Sequence, residues 1–580
     1  MTVWYRVQWL SIGPQFSLCR RLLRVMMRPH TLSSIGFGST NRVPAVDPTD
    51  SVAVRPTPPE AWAASHLGGV RTLSLLIVLA LQVAFFSFVA LHRFIDGDEG
   101  FYLLASRLVL HKRLYLDFLY EQTPLLPYVY GLWMKVFGVT WVSARLLAAL
   151  LTAALGTLVC EDVWRQTRSW VCGTVAAILF AASTLVFGFL PIVKIYSLAG
   201  LALFAAYVTI SRFTPRSSLW LAACSGLLFA CSVSTRSYLV VLLPWFLGWI
   251  VRGSEPGGKI KSSVWFLGGA AVGMIPSLYF FLMSPAVFLF NNLGIHAIRS
   301  DSGLVGLWQQ KIIAIFQLFL GGPETNGIQT SILFFVSWGF ISLIGKRRYA
   351  PRFAFHIAIV IVLVSLLPTP AWPQYFCLCV PFLLVSAICT ANDGLDDLRS
   401  RRTRAWWLAA CALAVVIYVV AAIPDLHRYL VTGVGVPGVK LAREPNDLKL
   451  QRVVEVSQAI DQVAQPGEAV ASFWPGYSVQ TWSVPFPGFE ADYGLPLSGR
   501  LTAEQRAKYH ILSALEIEAD FAIHRPRVVV LRDPIQVKGG EPLRKLLATE
   551  DALRNALCAN GYTVFRKLGG VSIYVASPTQ

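Results

Sequence analysis

The sequence predicts an α-helical membrane protein that crosses the bilayer several times and ends in a small α/β domain. Of its 580 residues, 55% are hydrophobic and only 14% are charged, a balance that excludes an ordinary soluble enzyme. Apolar segments of about 20 residues, the length that crosses a bilayer, recur as far as residue 425. Residues 426–580 are polar and of mixed charge, which is typical of a folded domain outside the membrane.

The first 70 residues form a basic tail before the first apolar segment. They contain seven arginines among many Pro, Ser and Thr residues, and no apolar core of a signal peptide follows the basic start. We therefore expect residues 1–70 to be a disordered cytoplasmic tail.

Apolar segments between residues 71 and 425 predict about eleven membrane spans. Lys and Arg are concentrated in every second connection, for example at residues 346–352 and 399–404. Because positively charged connections face the cytoplasm, we expect the N-terminus inside the cell, and the first loop and the C-terminal domain outside, in a cell (inner) membrane protein. This distribution explains the net charge of +18, and no motif indicates a nucleic-acid partner. The predicted spans are 71–94, 141–161, 170–190, 192–211, 217–234, 237–251, 263–284, 328–344, 353–368, 375–391 and 405–423.

The first outer loop, residues 95–140, combines carboxylates with many apolar residues. Charges at a membrane boundary cost desolvation energy unless they are paired or functional, so this loop predicts a functional site. A merely solvated loop is the simpler alternative. The apolar spacing within residues 101–108 predicts a helix with its apolar stripe on the bilayer, and residues 124–136 predict a second helix on the membrane surface. The loop's five carboxylates are Asp96, Asp98, Glu99, Asp117 and Glu121.

Several cations lie on the outer side, against the general charge distribution. Arg145, Lys194 and Arg236 lie at the outer ends of predicted spans, and His296 and Arg299 lie in the outer connection 285–327. Such a cation needs a partner, which is either a carboxylate of the loop or an anionic ligand. The sequence leaves both interpretations open.

The C-terminal domain shows the patterning of a soluble α/β fold without a recognisable catalytic motif. It contains no nucleotide-binding loop, no nucleophile elbow and no metal triad, so a binding or shaping role is expected. In the membrane region, Gly269 and Gly273 form a small-xxx-small pair that predicts close helix packing. Helices are predicted at 447–463 and 503–519, and strands at 469–473, 528–531 and 571–575.

An enzyme outside the membrane has no nucleotide sugars, so a sugar transfer there needs a lipid-carried donor. A polyprenyl phosphate is a good leaving group and requires no strong general acid. The transfer needs one carboxylate to remove a proton from the acceptor, and cations to stabilise the departing phosphate.

The first outer loop resembles that of the GT-C glycosyltransferases, in the branch of the protein mannosyltransferases, the aminoarabinose–lipid A transferases and bacterial relatives acting on lipopolysaccharide cores. The likeness rests on D-E-G-F-Y at 98–102, Y-L-D-F at 115–118 and E-Q-T-P-L-L-P-Y at 121–128. It implies a GT-C-like fold with Asp98 as the base, Glu99 beside it and Glu121 as a second acidic position. The aminoarabinose branch has Lys where this chain has Gln122. The donor- or acceptor-binding residues that the resemblance implies are Tyr102, Gln122, Arg145, Lys194, Arg236, His296, Arg299 and Tyr375.

The sequence therefore predicts an inverting membrane glycosyltransferase, with residues 71–425 as its catalytic region. It would move a hexosyl or pentosyl group from a polyprenyl-phosphate-sugar to a lipid, glycan or protein acceptor at the outer face. No metal ion or other cofactor is expected. The alternative is a transporter or flippase of a polyprenyl-linked sugar, but transporters usually carry ionisable residues near the bilayer midplane and show repeated halves.

Overall fold

The computed structural model describes residues 58–214, 219–299, 303–321, 327–344, 349–368, 371–431, 448–491, 494–533 and 541–577. The chain divides into two compact units, residues 1–71 with 538–541, and residues 72–537 with 542–580. Most of the predicted N-terminal tail (residues 1–57) lies outside the described residues. All the residues of the site discussed below belong to the larger unit.

Helices dominate the described chain up to residue 431, as the sequence predicts. Two of them, α2 and α3, lie within residues 95–140, the loop predicted to face outside, and the rest are mostly apolar. The helices are α1 (Pro58–His92), α2 (Gly97–Leu108), α3 (Leu125–Phe137), α4 (Trp141–Thr167), α5 (Trp170–Ala181), α6 (Thr184–Phe189), α7 (Ile195–Ser211), α8 (Leu219–Val233), α9 (Leu243–Gly253), α10 (Lys259–Gly273), α11 (Ile275–Met283), α12 (Pro285–Leu289), α13 (Ile295–Ile298), α14 (Gly303–Leu320), α15 (Gly327–Ile344), α16 (Tyr349–Val364), α17 (Val380–Asp397) and α18 (Arg401–Val431).

The described helices confirm a multi-span membrane protein. Four helical segments are long and apolar enough to cross a bilayer, namely Gly69–His92, Trp141–Thr167, Pro373–Asp397 and Arg401–Val431. A fifth candidate consists of Pro256–Gly273 and α11, which meet at a bend of 60°. Six shorter apolar helices of 10–17 residues lie among the described residues, and the total of about eleven spans stays a prediction.

The structure adds detail to three predicted segments and contradicts one expectation. The predicted spans 170–190 and 263–284 are each two helices, and Pro276 in the first turn of α11 explains the second break because its ring disrupts a continuous helix. The connection 285–327, predicted to lie outside, contains the 18-residue helix α14. Helix α2 does not rest one stripe on the bilayer, because residues on all its sides are buried within the protein.

Close packing at the predicted glycine pair is confirmed. A Cβ atom added to Gly269 of α10 would lie only 1.9 Å from the carbonyl oxygen of Ala223 in α8. A Cβ atom on Gly273 would lie 2.6 Å from the carbonyl oxygen of Leu227. Only glycine allows the two helices to approach this closely.

The C-terminal domain is a mixed five-stranded sheet with helices. The strand order is β2-β1-β3-β5-β4, with β1 parallel to β2 and β3, and β5 antiparallel to β3 and β4. The strands are β1 (Ala469–Ser472), β2 (Val484–Pro485), β3 (Val528–Arg532), β4 (Tyr562–Leu568) and β5 (Val571–Ala576), and the helices are α19 (Leu450–Asp461), α20 (Ala503–Tyr509), α21 (Ala514–His524) and α22 (Glu541–Ala559).

The three predicted strands are present, while β2, β4 and α22 were not predicted. The predicted helix 503–519 is instead two helices. His510, with a left-handed backbone (φ 58°), ends α20, and Ser513 and Glu516 form a capping box that begins α21. The start of the predicted helix 447–463 lies outside the described residues.

Candidate active site

The beginning of α2 places Asp98 and Glu99 in different environments. Asp96 caps the helix, because its Oδ1 accepts the backbone N–H of Asp98 at 3.0 Å. In return, Glu99 Oε1 accepts the backbone N–H of Asp96 at 2.8 Å, which completes a capping box. The Asp98 side chain keeps 33% of its surface exposed, whereas Glu99 is fully buried. Of these two carboxylates, only Asp98 is accessible to a substrate.

Lys194 joins Asp96 and Asp98. Its Nζ atom lies 2.8 Å from Asp96 Oδ1 and 2.8 Å from Asp98 Oδ2. Burial raises the pKa of the Asp96 carboxyl to about 7, although the charge of Lys194 opposes this rise. The partners of Lys194 are thus loop carboxylates, one of the two alternatives expected for the outer cations.

Arg145 likewise has a carboxylate of the loop as its partner. Its guanidinium forms two hydrogen bonds with the Glu99 carboxylate, of 3.0 Å and 2.5 Å, and both side chains are completely buried. Arg145 also donates to the carbonyl oxygens of Ala90, Arg93 and Phe94 at the end of α1. Glu99 Oε2 accepts the backbone N–H of Val193 at 3.1 Å. This pair therefore links α1, α2 and α4 to the segment that carries Lys194.

Arg236 has a different set of neighbours. Its Nη1 donates to the side-chain oxygen of Gln122 at 3.2 Å. Its guanidinium carbon lies 4.6, 4.7 and 5.9 Å from the ring centres of Tyr238, Tyr375 and Tyr196. The side chain is only 7% exposed, and its Nε has no hydrogen-bond partner among the described residues. No described carboxylate forms an ion pair with Arg236.

Glu121, His296 and Arg299 form the next part of the site. His296 Nε2 is 3.1 Å from the backbone oxygen of Glu121, and Arg299 Nη1 is 3.9 Å from Glu121 Oε1. The buried Tyr102 lies within electrostatic range of four charged residues, namely Asp98, Glu121, Lys194 and Arg236. The structure thus brings Asp98, Glu99 and Glu121 into one region with the predicted outer cations, whereas Asp117 lies in a separate, exposed pair with Arg113.

Tyr196 and Tyr238 were not singled out from the sequence, and Asp96 was named among the loop carboxylates without a specific role. The role of Asp96 was readable, because Asp followed three residues later by Glu is a capping-box spacing. Tyr196 and Tyr238 lie near Arg236 through tertiary packing, for which no local signal exists. Among the described residues, no group of three or more His, Cys, Asp or Glu side chains could hold a metal ion.

Comparisons with known proteins identify the fold. No family model matches the chain, and no curated protein matches it in sequence. The solved structure of ArnT from Cupriavidus metallidurans in the apo state matches with a TM-score of 0.59, over 88% of this chain and 100% of that one, at 12% identity. The chain has an ArnT-like fold. The same ArnT bound to undecaprenyl phosphate matches equally well, at 13% identity. The arabinosyltransferase EmbB from Mycobacterium smegmatis reaches a TM-score of only 0.42, over 70% of this chain and 42% of that one at 13% identity, so no argument is based on it.

In this ArnT-like fold the C-terminal domain packs on the first outer loop. Lys112 and Glu490 form an ion pair of 3.2 Å, and His510 Nε2 lies 2.8 Å from the backbone oxygen of Leu116. The Arg107 guanidinium donates to the carbonyl oxygens of Ser478 and Ser483, both at 2.6 Å. The domain and the candidate site therefore lie on the same side of the molecule.

Proposed function

We propose that this protein is a membrane glycosyltransferase that uses a polyprenyl-phosphate-sugar. The observation that carries the proposal is the position of Asp98, a partly exposed carboxylate held by the buried Lys194, in the same region as Arg236, which has no carboxylate partner among the described residues. One accessible base and one available cation are what the reaction requires. The ArnT structure with undecaprenyl phosphate supports a polyprenyl-phosphate donor for this chain as well.

The reaction is a single displacement. Asp98 removes the proton from a hydroxyl or other nucleophile of the acceptor, and that atom attacks the anomeric carbon of the sugar. The bond between this carbon and the phosphate oxygen breaks, and the bonding electrons leave with the polyprenyl phosphate. Attack from the opposite side inverts the configuration at the sugar carbon.

Arg236 stabilises the departing phosphate. A guanidinium can contact phosphate through two N–H groups, and its Nε has no protein partner among the described residues. Tyr375 helps to hold this side chain, and Gln122 orients it through the 3.2 Å hydrogen bond. His296 and Arg299 lie beside Glu121 and form the outer part of the donor site.

The remaining residues position the base. Lys194 fixes the Asp98 carboxylate, and the Glu99–Arg145 pair fixes the first turn of α2. Glu99 therefore acts on the reaction through the position of Asp98 and does not touch the substrate. The acceptor is an envelope lipid, glycan or protein, and the site faces the outside of the cell membrane.

The test measures the release of polyprenyl phosphate. Purified wild-type protein is incubated with a panel of polyprenyl-phosphate hexoses and pentoses and an envelope extract, and the released carrier and modified acceptor are detected by mass spectrometry. We expect release with the wild type and a loss of about 100-fold or more with Asp98→Asn, because a general base contributes about 10²–10⁴-fold. Asp117→Asn is the matched control, since Asp117 is in the same loop but is paired with Arg113 at 3.0 Å.

Two outcomes would contradict the proposal. Equal release by Asp98→Asn and the wild type would remove Asp98 from the mechanism. Movement of the intact donor across a vesicle membrane, without release of polyprenyl phosphate from any donor, would favour the flippase alternative.

A further inference from the structure

A short segment of the C-terminal domain contacts the beginning of the helix that carries Asp98. The segment is Trp474 followed by the 3-10 helix Pro475–Ser478, and Phe473 separates it from the end of β1. The Ser472 hydroxyl donates to the carbonyl oxygen of Trp474 at 2.7 Å, and the Ser457 hydroxyl of α19 donates to that of Tyr477 at 2.8 Å. These bonds attach the segment to the core of its own domain.

The contact with α2 is close and directional. The indole Nε1 of Trp474 donates to the carbonyl oxygen of Gly97 at 2.8 Å, and Gly97 immediately precedes Asp98. One turn further, a Cβ atom on Gly100 would lie 2.6 Å from the Cα of Gly476, so the two backbones touch. Gly97 has no side chain to restrict its backbone, so the hydrogen bond from Trp474 helps to fix the orientation of this peptide group.

Trp474 also contacts α4, the helix that carries Arg145. Its ring stacks on Trp141, with ring centres 5.9 Å apart and planes at 21°. Trp141 is the first residue of α4 and lies one turn before Arg145, on the same side of the helix. The Trp474 side chain thus contacts two helices: α2, which carries Asp98 and Glu99, and α4, whose Arg145 binds Glu99.

We infer that Trp474 is a positioning residue for Asp98, so that the C-terminal domain is part of the active site. This inference rests on the proposed transferase function. The indole N–H fixes the Gly97 carbonyl, which fixes the direction in which the Asp98 carboxylate points. A change in this direction slows proton removal and leaves the phosphate contacts of Arg236 intact.

The chain offers a matched pair of variants. Trp474→Phe keeps an aromatic ring and removes only the N–H donor. Trp482→Phe makes the same change in the same domain, where the indole donates to Ala464 within the domain at 2.7 Å and is 53% exposed. Both variants are measured for kcat, for the KM of the donor, and for hydrogen exchange of the backbone amides of residues 98–102.

For Trp474→Phe we expect kcat to fall about three- to tenfold, the size of one neutral hydrogen bond, with an unchanged KM for the donor. We also expect faster exchange at residues 98–102. Trp482→Phe should match the wild type in all three measurements. Unchanged exchange in Trp474→Phe, or the same change in both variants, would overturn the inference. If the wild type transfers no sugar, the proposed function fails, and the exchange measurement still decides the positioning role.

Discussion

Glu99 and Arg145 form an ion pair with both side chains completely buried, next to a carboxylate that remains partly exposed. The pair is joined by two hydrogen bonds, and each member also binds backbone groups of neighbouring segments. Desolvation by burial alone would raise the pKa of Glu99. The charge and hydrogen bonds of Arg145, the charge of Arg93 and the backbone N–H of Asp96 together outweigh this effect, so the pKa is lowered. Glu99 therefore stays ionised beside Asp98, and the two acidic neighbours in the sequence lie in different environments.

Glu99→Gln should destabilise the protein strongly, because it leaves the Arg145 charge buried without a counter-charge. Removing one partner of a buried pair costs about 3–5 kcal/mol, whereas an exposed pair contributes about 0–1 kcal/mol. Thermal unfolding in detergent should show a large decrease for Glu99→Gln and little change for Asp117→Asn, which breaks the exposed pair with Arg113. Similar melting temperatures for the two variants would contradict the structural role of Glu99.

Arg236 should determine the affinity for the donor. A charge-assisted contact contributes about 1.5–3 kcal/mol, so Arg236→Ala should weaken binding of polyprenyl phosphate roughly tenfold to a hundredfold, and Arg236→Lys should weaken it less. Calorimetric titration on detergent-purified protein measures this, with Arg113→Ala as the control for removal of an exposed arginine. A lower melting temperature with unchanged donor affinity would instead give Arg236 a purely structural role.

Asp96 should make the stability depend on pH. Burial raises its pKa to about 7, above the pKa in the unfolded chain. At a pH between these two pKa values, the folded protein therefore keeps Asp96 protonated to a greater extent than the unfolded chain does. This contribution is fully present below the unfolded pKa and is lost as the pH rises through about 7.

The measurement compares melting temperatures of the wild type and Asp96→Asn from pH 5 to pH 8, since Asn also caps helices well. The wild type should lose stability relative to the variant as the pH rises. The pKa of Asp117, where Arg113 outweighs burial, is lowered, so Asp117→Asn should show the opposite sign. A pH-independent difference between the wild type and Asp96→Asn would refute this prediction.

The C-terminal domain should be accessible from outside the cell, together with the site on which it packs. Its exposed Cys558 is a natural reporter. A membrane-impermeant maleimide should label Cys558 in intact cells, and Gly499→Cys should restore labelling in a Cys558→Ser background. The control is Ser400→Cys, in a predicted cytoplasmic connection, which should react only after permeabilisation. Labelling in the reverse pattern would invert the predicted topology.

Local patterns in the sequence predicted the multi-span helical class and the small C-terminal region with a β-sheet, which the structure confirms. They could not predict that Lys194 binds Asp98, because these residues are far apart in the sequence and meet through tertiary packing. Helix α14 was missed because Gln309, Gln310 and Lys311 interrupt its apolar character.

Strand β4 was missed for a related reason. Most of its residues are exposed, so it lacks the alternation of apolar and polar residues that marks a half-buried strand. In contrast, the S-x-x-E spacing at Ser513 and Glu516 was readable and would have divided the predicted helix 503–519 correctly.

The hydrogen bond from Trp474 to Gly97 connects residues 377 positions apart. At about 5–20 residues per second, a ribosome makes Trp474 roughly 20–75 seconds after Gly97. The two backbone acceptors of Arg107, on Ser478 and Ser483, are made later still. A nascent chain can therefore place its outer loop at the membrane well before the groups that fix the loop exist, and a prematurely terminated chain leaves the Asp98 helix without them.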